Sequence, residues 1–196
     1  MKKLVKAFCC FAGLFMLVSL ASADNAVSKK ADTGLSKPDN IVDDMSAAPI
    51  GWTKEKDRGV TLTIAAGTGQ KGKALELSYN FGDEGNWLGV RKRIVQDVSG
   101  YKGIRFAVRG DGKVNSIQVK LENNNSSNFG VVLPIKSNTN TWSPVDVPFS
   151  SLEYLWGDSQ DLSLNKPLLH IAVVKKESDD EGGSGTLVID KIELYK

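Results

Sequence analysis

Residues 98–112, VSGYKGIRFAVRGDG, constrain the fold more than any other stretch of this chain. Ile104, Phe106 and Val108 are apolar at every second position, and Arg105, Ala107 and Arg109 fill the places between. A period of two puts the apolar set on one face of a β-strand, where a helix would need a period near 3.6. Gly103, Gly110 and Gly112 punctuate both ends, with Asp111 inside the closing turn. The same grammar recurs at 41–45, 59–66, 73–81, 87–95, 116–122, 129–136, 142–149, 168–176 and 186–195. About ten short strands separated by Gly, Asn and Pro turns predict an all-β protein, a sandwich or jelly roll of two antiparallel sheets. One segment departs from the pattern. In PFSSLEYLWG, Ser151 stands before Leu152 and Leu155, which predicts a helical turn.

The N-terminus reads differently. Lys2, Lys3 and Lys6 precede an apolar run from Ala7 to Leu20, and Ala21-Ser22-Ala23 forms an A-x-A cleavage site. This is the pattern of a secretory signal peptide over 1–23, with cleavage before Asp24, and it predicts a secreted or periplasmic protein with no membrane attachment after cleavage. Cys9 and Cys10 sit in the middle of the apolar run and not behind a lipobox triplet. They leave with the peptide, so no disulfide or cysteine metal site is expected in the mature chain. Loss of three lysines takes Lys plus Arg from 25 to 22 against 23 acids, a formal charge of −1. The basic balance of the precursor therefore gives no reason to expect nucleic-acid binding. Residues 24–39 are small and polar without periodicity and read as a flexible linker. The folded domain is expected over 40–196, one core in a monomer.

Alternation also sorts side chains by face. Leu88, Val90 and Ile94 point inward, which sends Trp87, Arg91 and Arg93 outward. Ile117, Val119 and Leu121 inward send Gln118, Lys120 and Glu122 outward. Ile171 and Val173 inward send His170 outward. If these strands share a sheet, Trp87, Arg91, Gln118, Lys120, Glu122 and His170 form one ligand-binding surface. Trp87 and Tyr79 are the best candidates for stacking on a sugar ring; Trp52, Trp142 and Trp156 each fit a structural role.

Enzymatic motifs fail on their surroundings. GTGQKGKA at 67–74 resembles a phosphate loop, but the alternating ALELSY follows where a helix should start. A Gly-rich link between two strands explains it. His170 is the only histidine, and no nucleophile elbow accompanies it. Asp43 and Asp44 are adjacent on a strand and cannot face each other across a glycoside, and Glu122 has no clear acidic partner. No catalytic residue is expected. Asp43, Asp44, Asp190 and Glu193 lie in the first and last strands, which neighbour each other in a jelly roll. They could hold a structural Ca²⁺ with backbone carbonyls, or simply charge a sheet edge.

With these residues placed, the chain resembles a family 11 carbohydrate-binding module, of the galactose-binding-like jelly-roll type. It also resembles the related complex I intermediate-associated family. The matching pieces are IVDDM with Gly51-Trp52, GKALELSYNF, DVSGYKGIRFAVRGDG, TWSPVDVPFSSL and GTLVIDKIELY, in that order across about residues 41–195. The resemblance implies a non-catalytic module that holds β-glucan or a related polysaccharide or oligosaccharide in a cleft on the concave sheet. It further implies calcium near the chain ends and a glycanase as partner. Two other readings stand beside it: an exported protein-interaction or assembly module on the same jelly roll, and a component of a cellulase or other glycanase system.

Overall fold

The computed structural model describes residues 39–175 and 182–196. The expected signal peptide, the linker up to residue 38 and the acidic run at 177–181 lie outside the described residues. The strands are β1 (Ile41–Asp43), β2 (Thr53–Lys56), β3 (Thr61–Thr68), β4 (Lys73–Asn80), β5 (Trp87–Arg93) and β6 (Gly103–Gly110). They continue as β7 (Ser116–Glu122), β8 (Asn128–Lys136), β9 (Ser143–Pro148), β10 (Glu153–Trp156), β11 (Leu168–Val174) and β12 (Ser184–Tyr195). One 3₁₀ turn, Phe149–Ser151, precedes β10.

These strands form two antiparallel six-stranded sheets, a β-sandwich jelly roll. The first sheet runs β3-β4-β12-β6-β9, with β1 also on β12. The second runs β10-β8-β7-β11-β5-β2. First and last strands are indeed neighbours, Ile41 lying opposite Glu193. β12 pairs with β4 up to Ile189 and then, past an irregularity at Lys191 (φ 38°), with β1. The Gly-rich 67–74 segment is the β3–β4 hairpin, closed by the Gly69 N–H on the Gly72 carbonyl at 3.0 Å.

The core is built as alternation requires. Leu88 and Val90, Ile117, Val119 and Leu121, and Leu169, Ile171 and Val173 line the inner face of the second sheet. Leu75, Leu77, Ile104, Phe106, Val108, Leu187 and Ile189 meet them from the first. Each is nearly free of solvent, and burial of such side chains contributes about 1.5–3 kcal/mol apiece before entropy is charged against it.

Two strands were not foreseen. β2 is Thr-Lys-Glu-Lys, with no apolar residue to alternate. It is an edge strand, and charged side chains on an edge discourage pairing with other chains. β10 replaces most of the expected helical turn. Only Phe149–Ser151 turns, stabilised by the Ser151 hydroxyl donating to the Pro148 carbonyl at 2.7 Å. Tyr154 then pairs with Phe129 of β8, ring against ring at 5.7 Å, and this tertiary contact outweighs the weak helical preference.

The candidate glycan-binding groove

All six residues expected on the ligand surface stand on the outer face of the second sheet. Strand register brings them together. Arg91, His170 and Lys120 lie side by side on β5, β11 and β7. Gln118 is level with Ala172 and Gly89, Glu122 with Leu168 and Asn128, and Trp87 with Val174. A groove of about 950 Å³ crosses this face, within the usual range for ligand pockets. Trp87, Gln118, Lys120, Glu122 and His170 line it, and Arg91 supports it from the flank.

The floor is low because the residues there are small. Gly89 and Ala172 lie next to each other between the larger neighbours. A Cβ on Gly89 would come within 2.5 Å of the Ile171 carbonyl oxygen and 2.8 Å of the Ala172 Cα, so no larger residue fits the floor.

Charged groups fill the middle. His170 is only 5% exposed although it sits on an outer face, because neighbouring side chains roof it over. Its Nδ1 is 2.9 Å from Glu55 Oε2 and its Nε2 is 3.1 Å from Glu122 Oε2. The other Glu55 oxygen pairs with Arg91 Nη1 at 2.8 Å. Burial pushes the His170 pKa below its ordinary 6.5, and the Lys120 cation adds to this; Glu55 and Glu122 pull the other way. Lys120 is itself pushed below the usual lysine value by burial, against the pull of the same two carboxylates. Its ammonium rests 4.7 Å from the Trp156 ring centroid.

Two indoles flank the groove. Trp87 is 37% exposed on β5, and Trp156 is 52% exposed on β10, the edge strand at the far side. Four strand spacings of about 4.8 Å separate their strands. Trp156 is presented by a tight turn. Gly157 (φ 127°) passes so close to Ser127 that a Cβ would lie 2.3 Å from its Cα, and the Tyr154 hydroxyl donates to the Gly157 carbonyl at 2.6 Å.

Sequence reasoning missed Glu55, Asn86, Asn128 and Trp156, all of which line the groove. Glu55 comes from the strand that carries no apolar signal. Trp156 would have been found by treating 153–156 as a strand. Tyr79 is no sugar platform. It is 5% exposed, packs edge-on against Phe81 at 5.7 Å, and burial raises the pKa of its hydroxyl.

The four acids expected to share a calcium ion are not assembled for it. Asp43 faces the second sheet, where its Oδ2 accepts from Trp52 Nε1 at 2.9 Å and from Lys92 Nζ. Asp190 lies on the outside of the first sheet, accepting the Gln70 N–H of the β3–β4 hairpin at 2.7 Å. Glu193 pairs with Lys191 at 2.6 Å, and Asp44 accepts from the Ser46 N–H and hydroxyl. Among the described residues, no group of three or more His, Asp or Glu side chains is placed to hold a metal. A lysine on Asp43 occupies the place a cation would take, so these residues do not fit one shared calcium site.

The comparisons place this jelly roll in a family of carbohydrate binding domains. The model of the carbohydrate binding domain (family 11) matches residues 31–196, and the chain belongs to that family. Among solved structures, the chain is similar to the family 11 carbohydrate-binding module from Clostridium thermocellum in complex with a β-1,3-1,4-mixed-linked tetrasaccharide. That match has a TM-score of 0.64 at 20% identity, covering 80% of this chain and 94% of the other. The family 11 module of a cellulosomal cellulase of the same organism gives 0.62 at 18%, covering 80% and 93%. An exo-β-agarase gives 0.57 at 15%, covering 79% of this chain and 24% of the enzyme. No curated protein matches the chain.

Proposed function

We propose that this protein is an exported, non-catalytic module that holds a stretch of β-glucan in the groove of its second sheet. One observation carries the reading: two exposed indoles flank a trough whose floor is glycine and alanine and whose middle is polar. A pyranose presents an apolar face to an indole and a rim of hydroxyls to carboxylate, amide and ammonium groups. Membership in a carbohydrate-binding family, and the mixed-linked tetrasaccharide on the similar Clostridium thermocellum module, support the same class of ligand.

The absence of catalysis has support in the geometry. Glu55 and Glu122 are the carboxylates an inverting hydrolase would need on either side of a glycosidic bond. Here the imidazole of His170 lies between them, in contact with both. The space for the bond and the water is already filled. Electrophoresis through gels containing mixed-linkage β-glucan tests the function. Retardation without any release of reducing ends is the expected result, and unhindered migration overturns it.

Export rests on the N-terminal pattern. N-terminal sequencing of protein recovered outside the cytoplasm is expected to start at Asp24. A mature chain that still carries Cys9 and Cys10 would contradict it.

A further inference from the structure

The contacts of His170 leave a question of protons. Both ring nitrogens lie within hydrogen-bond distance of a carboxylate oxygen. A neutral imidazole has one N–H and one lone pair, so it can donate to only one of them. The second contact then sets lone pair against carboxylate. It becomes a hydrogen bond only when another proton enters and the ring is an imidazolium.

The groups around the ring decide which contact survives in the neutral form. Glu55, from β2, is held from its other side by Arg91 of β5 at 2.8 Å. Among the described residues, His170 is the one hydrogen-bonding and ion-pairing partner of Glu122 on β7. Lys120 lies directly opposite His170 on β7, and Arg91 opposite it on β5. Further along this row stand Thr53 and Gly130, which carry no charge, and beyond Gly130 the exposed Glu153 on the β10 edge strand. Two cations flank the ring at its own level, and the site is buried. Burial, first, and the Lys120 cation disfavour the imidazolium, against the pull of the Glu55 and Glu122 carboxylates.

We infer that glycan binding in this groove is coupled to one proton on His170. With the ring neutral, Nδ1–H donates to the fixed Glu55, and Glu122 turns away from the Nε2 lone pair to accept a sugar hydroxyl. On acidification the imidazolium draws Glu122 back and withdraws that acceptor from the ligand. This rests on the glycan-binding reading of the groove and names its regulation. The geometry fixes the sign, because only the neutral ring releases Glu122: affinity falls as pH drops through the ring titration, which burial places below the ordinary 6.5.

His170 is the only histidine, so its ring signals in an NMR spectrum of ¹⁵N-labelled protein are unambiguous. The neutral Nδ1–H tautomer is expected at about pH 7.5. Calorimetry of the intact protein with a mixed-linkage β-1,3-1,4-glucan tetrasaccharide is then run between about pH 7.5 and 4.5. Affinity should fall on the order of tenfold across that range, following the ring titration. In His170→Gln, which cannot take up the proton, the remaining affinity should no longer follow pH in this way. An Nε2–H tautomer or a persistent imidazolium at neutral pH overturns the inference, whether or not the variant folds. So does a fall in affinity that survives unchanged in His170→Gln. Equal binding at every pH also overturns it, while leaving the glycan reading standing. No binding at any pH overturns both.

Discussion

Replacing Asp43 with alanine is expected to lower the melting midpoint of the protein by about 10 °C. The carboxylate does three things at once. Its Oδ1 accepts the Met45 N–H at 2.8 Å, which braces a residue in the left-handed region (φ 61°) whose side chain is fully buried. Its Oδ2 accepts the Trp52 indole N–H and pairs with Lys92 across the sandwich. Alanine leaves the indole donor and the largely covered ammonium without their acceptor. Removing one partner of such a pair costs about 3 kcal/mol or more, and each kcal/mol moves the midpoint of a domain this size by roughly 2–4 °C. Adding Lys92→Met to Asp43→Ala should recover part of the loss, since the orphaned charge is gone. Thermal melts followed by circular dichroism read both. A shift of less than about 3 °C for Asp43→Ala would show that the ion pair is effectively solvated.

The second large effect concerns the ligand. Trp87→Ala and Trp156→Ala are each expected to weaken glycan binding about tenfold, and the double variant about a hundredfold. Each indole offers an exposed ring at one side of the groove. Covering one face with a sugar removes apolar surface from water and contributes on the order of 1–2 kcal/mol. The two strands lie far enough apart for the effects to add. Neither ring belongs to the core cluster, so the melting midpoint should move little. Titration with mixed-linkage β-glucan measures the binding. If Trp87→Ala binds normally while Trp156→Ala does not, the ligand occupies only the β10 side and the groove is shorter than drawn.

Alternation alone determined most of the sandwich. Segments such as 61–66, 74–79, 104–109 and 117–122 alternate because they have one face on the core, and a period of two assigns their side chains to a face. Trp87, Arg91, Gln118, Lys120, Glu122 and His170 were therefore placed outward from local pattern alone. That they share one sheet was decided by β11 lying between β5 and β7, a non-local pairing that no local pattern records. The strands without a core face stayed hidden. Thr53–Lys56 is charged because it is an edge, yet it supplies the Glu55 that clasps His170. Glu153–Trp156 looked helical until Phe129 gave Tyr154 a partner, and Trp156 followed it onto the groove. The acids of the first and last strands show the same division. Their strands are neighbours, as their positions in the chain predict, but the two faces of the sheet send Asp43 and Asp190 apart. Asp43 was then claimed by Lys92 and Trp52, residues distant in the chain that only the closed sandwich brings to it.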